Sequence, residues 1–449
     1  MSAILSCVVV VLAALAVVRH FEVRLILLSA SLLLGWINGD VTAILRTFFT
    51  AFTSEKFIVP ICCCLGFGYV LKETRCDEHL VRLLSRPLQK AHLLLVPGAV
   101  LVGFLVNIPI VSQTSTALAV GTVLVPLLMR AGVSNATIGA SLVLGSSMGG
   151  ELFNPGAPEL LTVASQLKIN SSECVRANIP FLLVAASVTL VTFWFLSIYR
   201  DLGQPKKNGA EQAGTATRDA PFRVSLLKAA APIVPLAILF LTGPPLSLIE
   251  VPKEWLVDAK TDPGVFGSRL IGVAMMIGTL LAALTDRKSF GRTATSFFEG
   301  AGYAFTHVIS LIVVAQCFGE GIKMTGIAEV IGEWCKHQPG MLIPLAALAP
   351  LGFAALGGSA IASTTSLYQF FVEPARELGF DPLQIGALVC IGAAAGRTMS
   401  PVAAVMLMSA KLTDTKPLEL CRRVAVPLLV GILVMIVVAQ FLLSPTGAK

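Results

Sequence analysis

The chain has 449 residues, of which 55% are hydrophobic and 13% are charged, and its mean hydropathy is +0.83. Soluble domains carry about 25% charged residues, so this composition excludes an ordinary soluble enzyme or nucleic-acid-binding domain. The net charge of +7 comes from Lys and Arg between apolar runs, as in loops near anionic lipid. We therefore expect a lipid bilayer, and no nucleic acid, as a partner.

Apolar runs long enough to cross about 30 Å of hydrocarbon recur along the chain and predict an all-α polytopic membrane protein with about 11–12 spans. The first run has no basic leader and no small-residue cleavage pattern, so we expect it to be a retained N-terminal span. The predicted spans lie near 3–18, 24–45, 56–72, 92–106, 137–165, 178–199, 224–246, 265–285, 301–318, 340–355, 384–410 and 424–443.

Two further apolar stretches, near 107–128 and 356–375, contain clusters of Ser and Thr. Every backbone polar group in hydrocarbon must be paired, so a non-helical turn there is buried in protein or lines a wet cavity. We predict a re-entrant hairpin in each stretch; the alternative is that the hydroxyls bond back to the preceding helical turn. The candidate substrate-binding residues are Ser112, Gln113, Thr114, Ser115 and Thr116 in the first stretch, and Ser359, Ser363, Thr364, Thr365 and Ser366 in the second.

A predicted span follows each hairpin, 137–165 and 384–410, and each contains Gly and Pro. Gly costs a helix interior about 1 kcal/mol and Pro about 3 kcal/mol, so both spans should break inside the membrane and expose helix ends to a ligand. The predicted helix-breaking residues are Gly145, Gly149, Gly150, Pro155, Gly392, Gly396 and Pro401. Polar residues beside the breaks, Ser146, Ser147, Asn154, Thr398 and Ser400, are further binding candidates.

The polar patch at each break carries one ionisable residue, Glu151 in the first and Arg397 in the second. A charge at this depth is costly and faces a cavity or a partner, which makes both residues candidates for function. Arg397 offers a planar fork suited to a carboxylate, and Glu151 is a candidate for coupling to an ion. The alternatives are a structural Arg397–Glu151 salt bridge, or side chains that snorkel to the interface. His307 also lies in an apolar run, where a packed histidine is the alternative to a proton relay.

The two polar regions belong to two halves of similar sequence, 1–200 and 224–449, joined by a polar linker at 201–223. Identical residues recur 247 positions apart, as with Ser112 and Ser359, Gly145 and Gly392, and Arg176 and Arg423. Internal repeats with interrupted hydrophobic segments are typical of secondary transporters. Counting spans predicts parallel repeats, unless one segment such as 224–246 does not span.

No enzyme is predicted. The G-x-S-x-G pattern at 145–149 needs a preceding strand and lies in a predicted membrane helix instead. No zinc motif or ATP-binding loop is present, so we predict no cofactor and no metal site, with Na⁺ or H⁺ as a possible coupling ion and Na⁺ placed at the hairpin tips. The ten cysteines are expected to be small buried residues.

Three segments resemble the DcuC family of anaerobic four-carbon dicarboxylate transporters: 396–402, 422–431 and 298–326. The family belongs to the ion transporter superfamily, so the resemblance implies paired re-entrant hairpins, broken helices and inverted repeats. It also implies a homodimer in the bacterial inner membrane, an elevator motion, and succinate, fumarate or malate as cargo. The sequence departs from the family pattern at Glu151 and at the first hairpin tip.

The residues and the resemblance together predict a secondary active transporter of small carboxylates, working by uptake, efflux or exchange. The alternative is a cation/proton antiporter on the same scaffold, with Glu151 as the carrier.

Overall fold

The computed structural model describes residues 2–19, 21–90, 94–201, 223–258, 262–286, 290–325 and 338–443. These ranges are helical, with no β-strand. The first half contains α1 Ser2–Val18, α2 Val23–Ile37, α3 Val41–Phe52, α4 Glu55–Glu73, α5 Cys76–Ser85, α6 Leu95–Asn107, α7 Gln113–Arg130, α8 Asn135–Ser147, α9 Pro158–Leu167 and α10 Ser171–Asp201. The second half contains α11 Leu226–Ala230, α12 Val234–Thr242, α13 Phe266–Thr285, α14 Phe290–Ala304, α15 Ser310–Lys323, α16 Leu342–Gly357, α17 Ala360–Leu367, α18 Gln369–Glu377, α19 Pro382–Met399, α20 Ala404–Leu412 and α21 Pro417–Leu442.

Five helical segments in the described ranges are long and apolar enough to cross a membrane, or six if the bent pair α3–α4 counts as one span. The prediction of an all-α protein with several membrane-length apolar helices is confirmed for these ranges. The predicted 11–12 spans stay a prediction. The five segments are Ser171–Tyr199, Phe266–Thr285, Phe290–Lys323, Pro382–Leu412 and Pro417–Leu442.

One predicted span, 224–246, is divided in the structure into the short helices α11 and α12. The turn between them contains Pro232, which lacks the N–H that a continuous helix would use, and Pro235 follows in the first turn of α12. The predicted linker, 201–223, lies almost entirely outside the described residues, since 202–222 are not described.

The helices pack into two groups. The inner group comprises α6–α10 and α16–α21, whose closest pairs are α16 with α19, α10 with α21, and α6 with α8. The outer group comprises α1–α5 and α11–α15, whose closest pairs are α4 with α14, α4 with α13, and α2 with α15. Contacts between the groups run through α5 with α6 and α7, α15 with α17, and α4 with α9.

Three pairs of equivalent helices in the inner group begin 247 residues apart. The paired starts are Leu95 and Leu342, Gln113 and Ala360, and Asn135 and Pro382. Two glycines at the same spacing, Gly132 and Gly379, both adopt left-handed backbone angles, with φ of 77° and 76°. The residue identities in the two halves therefore coincide with equivalent positions along the helices.

Three glycines predicted to break helices lie inside unbroken helices instead. Gly145 is within α8, and Gly392 and Gly396 are within α19. A Cβ on Gly145 would lie 2.9 Å from the carbonyl oxygen of Val100, and a Cβ on Gly392 would clash with the equivalent carbonyl of Ala347. Glycine is needed at these positions because α8 packs directly against the backbone of α6, and α19 packs directly against the backbone of α16.

The chain breaks at other predicted residues. Gly149 has φ of 111° and Gly150 begins a short 3₁₀ turn, with Pro155 in the following turn before α9. Pro401 lies in the four-residue break between α19 and α20. The break in the first half, 148–157, is thus longer than the break in the second, 400–403.

Candidate functional site

A cavity of about 230 Å³ lies where the interrupted helices of both halves meet. Two short non-helical segments face it, one ending at Ser112 before α7 and one ending at Ser359 before α17. Its volume is below the 300–1,000 Å³ of pockets for drug-sized ligands and suits a small ligand.

Four helices begin at this cavity: α7, α9, α17 and α20. Ser112 and Ser359 cap α7 and α17, each accepting a hydrogen bond from the backbone three residues on. The helices α9 and α20 follow Ala157 and Ala403 and have no side-chain cap. Helix N-termini carry partial positive charge and unpaired N–H groups, so four of them around one cavity favour an anion.

Arg397, in the last turn of α19, is the buried cation of this site. Its Nε donates to Ser147 Oγ over 3.1 Å, and its Nη2 donates to the Ser147 carbonyl over 2.9 Å and to Glu151 Oε1. Its Nη1 donates to Glu159 Oε1 over a longer 3.3 Å. The neighbouring Thr398 Oγ1 lies 2.6 Å from the same Ser147 carbonyl. The end of α8 therefore holds the guanidinium in one orientation.

Two carboxylates share this guanidinium, and both are buried. Glu151 lies in the 3₁₀ turn of the first break, and its backbone N–H donates to Asn107 Oδ1 over 3.1 Å. Glu159 lies in the first turn of α9 and lines the cavity. Within the described residues, the second oxygen of each carboxylate has no hydrogen-bond partner. The site thus has one buried cation and two buried acids.

The opposite wall of the cavity belongs to the outer group. Tyr303 and His307 line it, with their rings stacked at a centroid distance of 4.0 Å. His307 lies in a π-helical turn, Phe305–Ile309, and its Nδ1 is 3.1 Å from the Tyr303 carbonyl oxygen. π-Turns are frequent at functional sites, and this one directs an ionisable ring into the cavity. The packed-histidine alternative does not hold, because His307 is exposed to the cavity.

Two asparagines fix the segment between α6 and α7. Asn107 Nδ2 donates to the Ile110 carbonyl over 3.1 Å, and Asn154 Nδ2 donates to the Ile108 carbonyl over 3.0 Å. Thr116 Oγ1 also donates to the Ile110 carbonyl. The non-helical backbone is therefore paired by side chains from α6, α7 and the first break, as its burial requires.

A family model described as "DcuC: C4-dicarboxylate anaerobic carrier" matches residues 53–443. The chain belongs to the DcuC family. The anaerobic C4-dicarboxylate transporter DcuC of Escherichia coli K12 is 22% identical over 392 residues, covering 85% of this chain and 80% of that protein. An uncharacterized transporter of Haemophilus influenzae is 26% identical over 286 residues, covering 63% of this chain and 98% of that protein.

Among solved structures, Neisseria gonorrhoeae MtrF, of a class of antimetabolite efflux pumps, is similar with a TM-score of 0.61. It is 16% identical, and the match covers 92% of this chain and 87% of MtrF. At that identity the likeness concerns the fold alone. Membership of the DcuC family makes this protein a transporter and not an enzyme, as predicted.

Some of the predicted binding residues lie directly at the cavity. Ser112, Gln113, Thr114, Ser359 and Arg397 line it. Ser147, Thr398 and Asn154 lie behind the cavity wall. Ser147 bonds to Arg397 and to Thr398, and Asn154 bonds to the segment between α6 and α7. Ser115 contributes its backbone N–H to the Ser112 cap and does not line the cavity. Ser146 and Ser400 are buried, and neither hydroxyl has a partner within the described residues.

Four further predicted binding residues, all in one helix, also do not line the cavity. Ser363, Thr364, Thr365 and Ser366 lie in the body of α17, one to two turns beyond its start. Ser363 Oγ donates to the Pro350 carbonyl of α16, and Thr365 Oγ1 lies 3.2 Å from Thr162 Oγ1 of α9. These hydroxyls pack α17 against its neighbours, since only the residues at the helix start reach the cavity.

Sequence reasoning missed Glu159 and Asn107. The signal for Glu159 was an acid next to Pro158 in the otherwise apolar run 157–164, which reads as an ordinary helix start. The signal for Asn107 was a single amide at the end of the apolar run 92–106. Both are buried polar residues inside apolar sequence, and that feature would have found them.

Proposed function

We propose that this DcuC-family protein is a secondary active transporter of four-carbon dicarboxylates such as succinate, fumarate and malate, and that it binds them in the cavity between the two halves. The observation that carries the proposal is the convergence of four helix N-termini and one buried arginine on a cavity of about 230 Å³. The carboxylate chemistry of the E. coli relative agrees with it.

The cavity offers two separate kinds of anchor for a dianion. One carboxylate would bind at Arg397 Nη1 beside the start of α9, where the fork geometry of a guanidinium suits it. The other would bind the N–H groups at the starts of α7 and α17, beside Ser112 and Ser359. His307 and Tyr303 would close the cavity from the opposite side.

Short helices support re-entrant hairpins. The helices α6 and α16 contain 13 and 16 residues, which correspond to about 20 Å and 24 Å, less than the ~30 Å of a hydrocarbon core. Each ends near the cavity, where the chain turns into α7 or α17. The division of 224–246 into two short helices removes one uninterrupted span, which favours inverted over parallel repeats.

Alternating access would follow from movement of the inner group against the outer group. The inner group contains every cavity residue except those of α4, the end of α14 and the π-turn. An elevator motion would carry Arg397 and the four helix starts together, while His307 stays with the outer group. A homodimer built on the outer group, in the bacterial inner membrane, belongs to the same proposal, as does a coupling Na⁺ or H⁺.

The antiporter alternative requires Glu151 to exchange a cation with the cavity. Glu151 contacts Arg397 and, through its backbone, Asn107, and it is not among the residues that line the cavity. No specific observation therefore favours this alternative. A Na⁺ flux in vesicles without any carboxylate would revive it.

The test is counterflow of labelled succinate in proteoliposomes loaded with unlabelled succinate or fumarate. Arg397→Lys removes the fork and should lower exchange about 10- to 150-fold, the equivalent of about 1.5–3 kcal/mol for a charged hydrogen bond. The matched control is Arg423→Lys, because Arg423 is also buried but donates to Thr137 away from the cavity and should retain most of the exchange. Absence of succinate, fumarate and malate exchange in the wild type would contradict the proposal.

A further inference from the structure

The guanidinium of Arg397 has one weak position. Its Nε and Nη2 bond to Ser147 at 3.1 and 2.9 Å, and Nη2 also bonds to Glu151. Only Nη1 is held by a single long contact, the 3.3 Å bond to Glu159. Nη1 is therefore the position on Arg397 at which a substrate carboxylate from the cavity could replace the existing partner, Glu159.

The two acids differ in what they face. Glu151 lies behind Arg397, outside the lining of the cavity, and its backbone is fixed by Asn107. Glu159 lines the cavity, its side chain is 1% exposed, and its Oε2 has no hydrogen-bond partner in the described ranges. The Oε2 of Glu151 also lacks a partner there, and an unpaired oxygen on a buried carboxylate is costly, but only Glu159 lines the cavity from which a proton can arrive.

The charge balance leads to the same residue. One arginine and two glutamates give the site a formal charge of −1 before any substrate arrives. A dianion that displaces Glu159 from Arg397 leaves that carboxylate buried and unpaired, which is strongly unfavourable unless the charge is neutralised. The helix N-termini offset only part of this cost. Substrate binding and neutralisation of Glu159 are therefore expected to occur together.

Resting on the proposed function, we propose that Glu159 is the proton-coupling residue of this transporter. The substrate carboxylate replaces Glu159 Oε1 at Arg397 Nη1, and the displaced carboxylate takes one proton from water in the cavity, forming an O–H bond on a carboxyl oxygen. On the other side of the membrane the substrate leaves, the proton returns to water, and the Glu159 carboxylate pairs with Arg397 again. Glu151 stays the partner of Arg397 throughout the cycle.

The surroundings of Glu159 contain few other groups that could take this role. The helix α17, packed against α9, contributes hydroxyls and no ionisable group. In the described part of the chain, the charged neighbours of Glu159 are Arg397 of α19 and Glu151 of the first break. The other ionisable groups on the elements packed around α9 are Cys390 of α19, Cys174 of α10, Cys64 of α4 near Gly156, and Lys56 near the far end of α9. Tyr303 and His307 lie across the cavity. His307 is the competing proton acceptor that the experiment must separate from Glu159.

The test measures protons taken up when purified protein binds succinate, by calorimetry in buffers of different ionisation enthalpy. In the wild type we expect about one proton per succinate, and an affinity that falls about tenfold per pH unit as pH rises, as linkage requires. Glu159→Gln should take up none and bind with a pH-independent affinity. Glu159→Asp should restore uptake, and the control Glu173→Gln, beside the other cavity, should behave as the wild type does. His307→Gln should still take up about one proton per succinate, whatever its effect on the affinity.

Several results would overturn the proposal. Uptake that persists in Glu159→Gln, or that disappears in His307→Gln, would assign the proton elsewhere. Succinate binding in the wild type with no proton uptake, or with a dependence on Na⁺ instead, would remove proton coupling while leaving dicarboxylate transport intact. Absence of binding and counterflow of any four-carbon dicarboxylate in the wild type would instead show that the proposed function itself is wrong. If Glu159→Gln fails to fold, Glu159→Asp decides, because a different carboxyl group should shift the pH range over which the succinate affinity falls, and an unshifted range would contradict the proposal.

Discussion

The two breaks of the inner group share a backbone plan and differ in charge. In the first half the break covers 148–157, includes a 3₁₀ turn, and is followed by α9. In the second half it covers only 400–403 before α20 begins. Glu151 lies in the first break and Glu159 in the helix that follows it, α9. In the second half the charged residue is Arg397, which lies in the helix before the break. The longer break is the one that places two acids against the arginine of the shorter one.

This difference separates two tasks. The shared backbone supplies helix N-termini in pairs, α7 with α17 and α9 with α20, and therefore a roughly symmetric attraction for an anion. The side chains break that symmetry, because one half contributes the cation and the other the acids that compete for it. In the proposed transporter, substrate selectivity and ion coupling then depend on a few side chains, and the backbone that holds them is similar in the two halves.

The largest expected effect comes from removing the charge that joins the two breaks. Arg397→Gln leaves Glu151 and Glu159 buried without their cation, so the free energy of unfolding should fall by about 3–5 kcal/mol. Thermal unfolding in detergent measures it. Adding Glu151→Gln to Arg397→Gln should recover part of the stability, because it removes one of the unpaired charges. A double variant no more stable than Arg397→Gln would show that the pair does not join the breaks.

A smaller effect should come from the glycines that keep the repeated helices close. Gly145→Ala and Gly392→Ala each place a methyl group against a backbone carbonyl of the neighbouring helix, so each should destabilise the protein by about 1–3 kcal/mol. The matched control is Gly352→Ala in α16, where a Cβ meets nothing within 4 Å and helix propensity should slightly favour alanine. Unfolding curves of the three variants measure it, and equal stability of all three would contradict the close packing.

The smallest effect tests how symmetric the two tips are. Ser112→Ala and Ser359→Ala each remove the cap of a helix that begins at the cavity and should each cost about 1 kcal/mol. Both should weaken succinate binding as well. Ser134→Ala removes a cap at the start of α8, away from the cavity, and should cost similar stability without changing affinity. Unequal affinity losses at the two tips would show that the substrate lies closer to one half.

The sequence was sufficient to predict the helical membrane class, the chain breaks near Gly149 and Pro401 and two charged residues beside them, Glu151 and Arg397, because intramembrane charge and Gly–Pro clusters are local signals. It was not sufficient to distinguish two uses of glycine. Gly149 breaks a helix, whereas Gly392 and Gly396 admit a neighbouring backbone, and only the position of α16 separates these cases. The hydroxyls of 363–366 were predicted at a hairpin tip and lie in the body of α17, since a cluster of Ser and Thr does not reveal where the helix begins.

The most direct test of the central claim is a structure of the protein with bound fumarate. We predict ligand density in the cavity between Ser112 and Ser359, with one carboxylate about 3 Å from Arg397 Nη1. The competing location is the larger cavity of about 610 Å³ at the far end of α9, lined by Lys56 and Lys168. Density there, with the space beside Arg397 empty, would contradict the account.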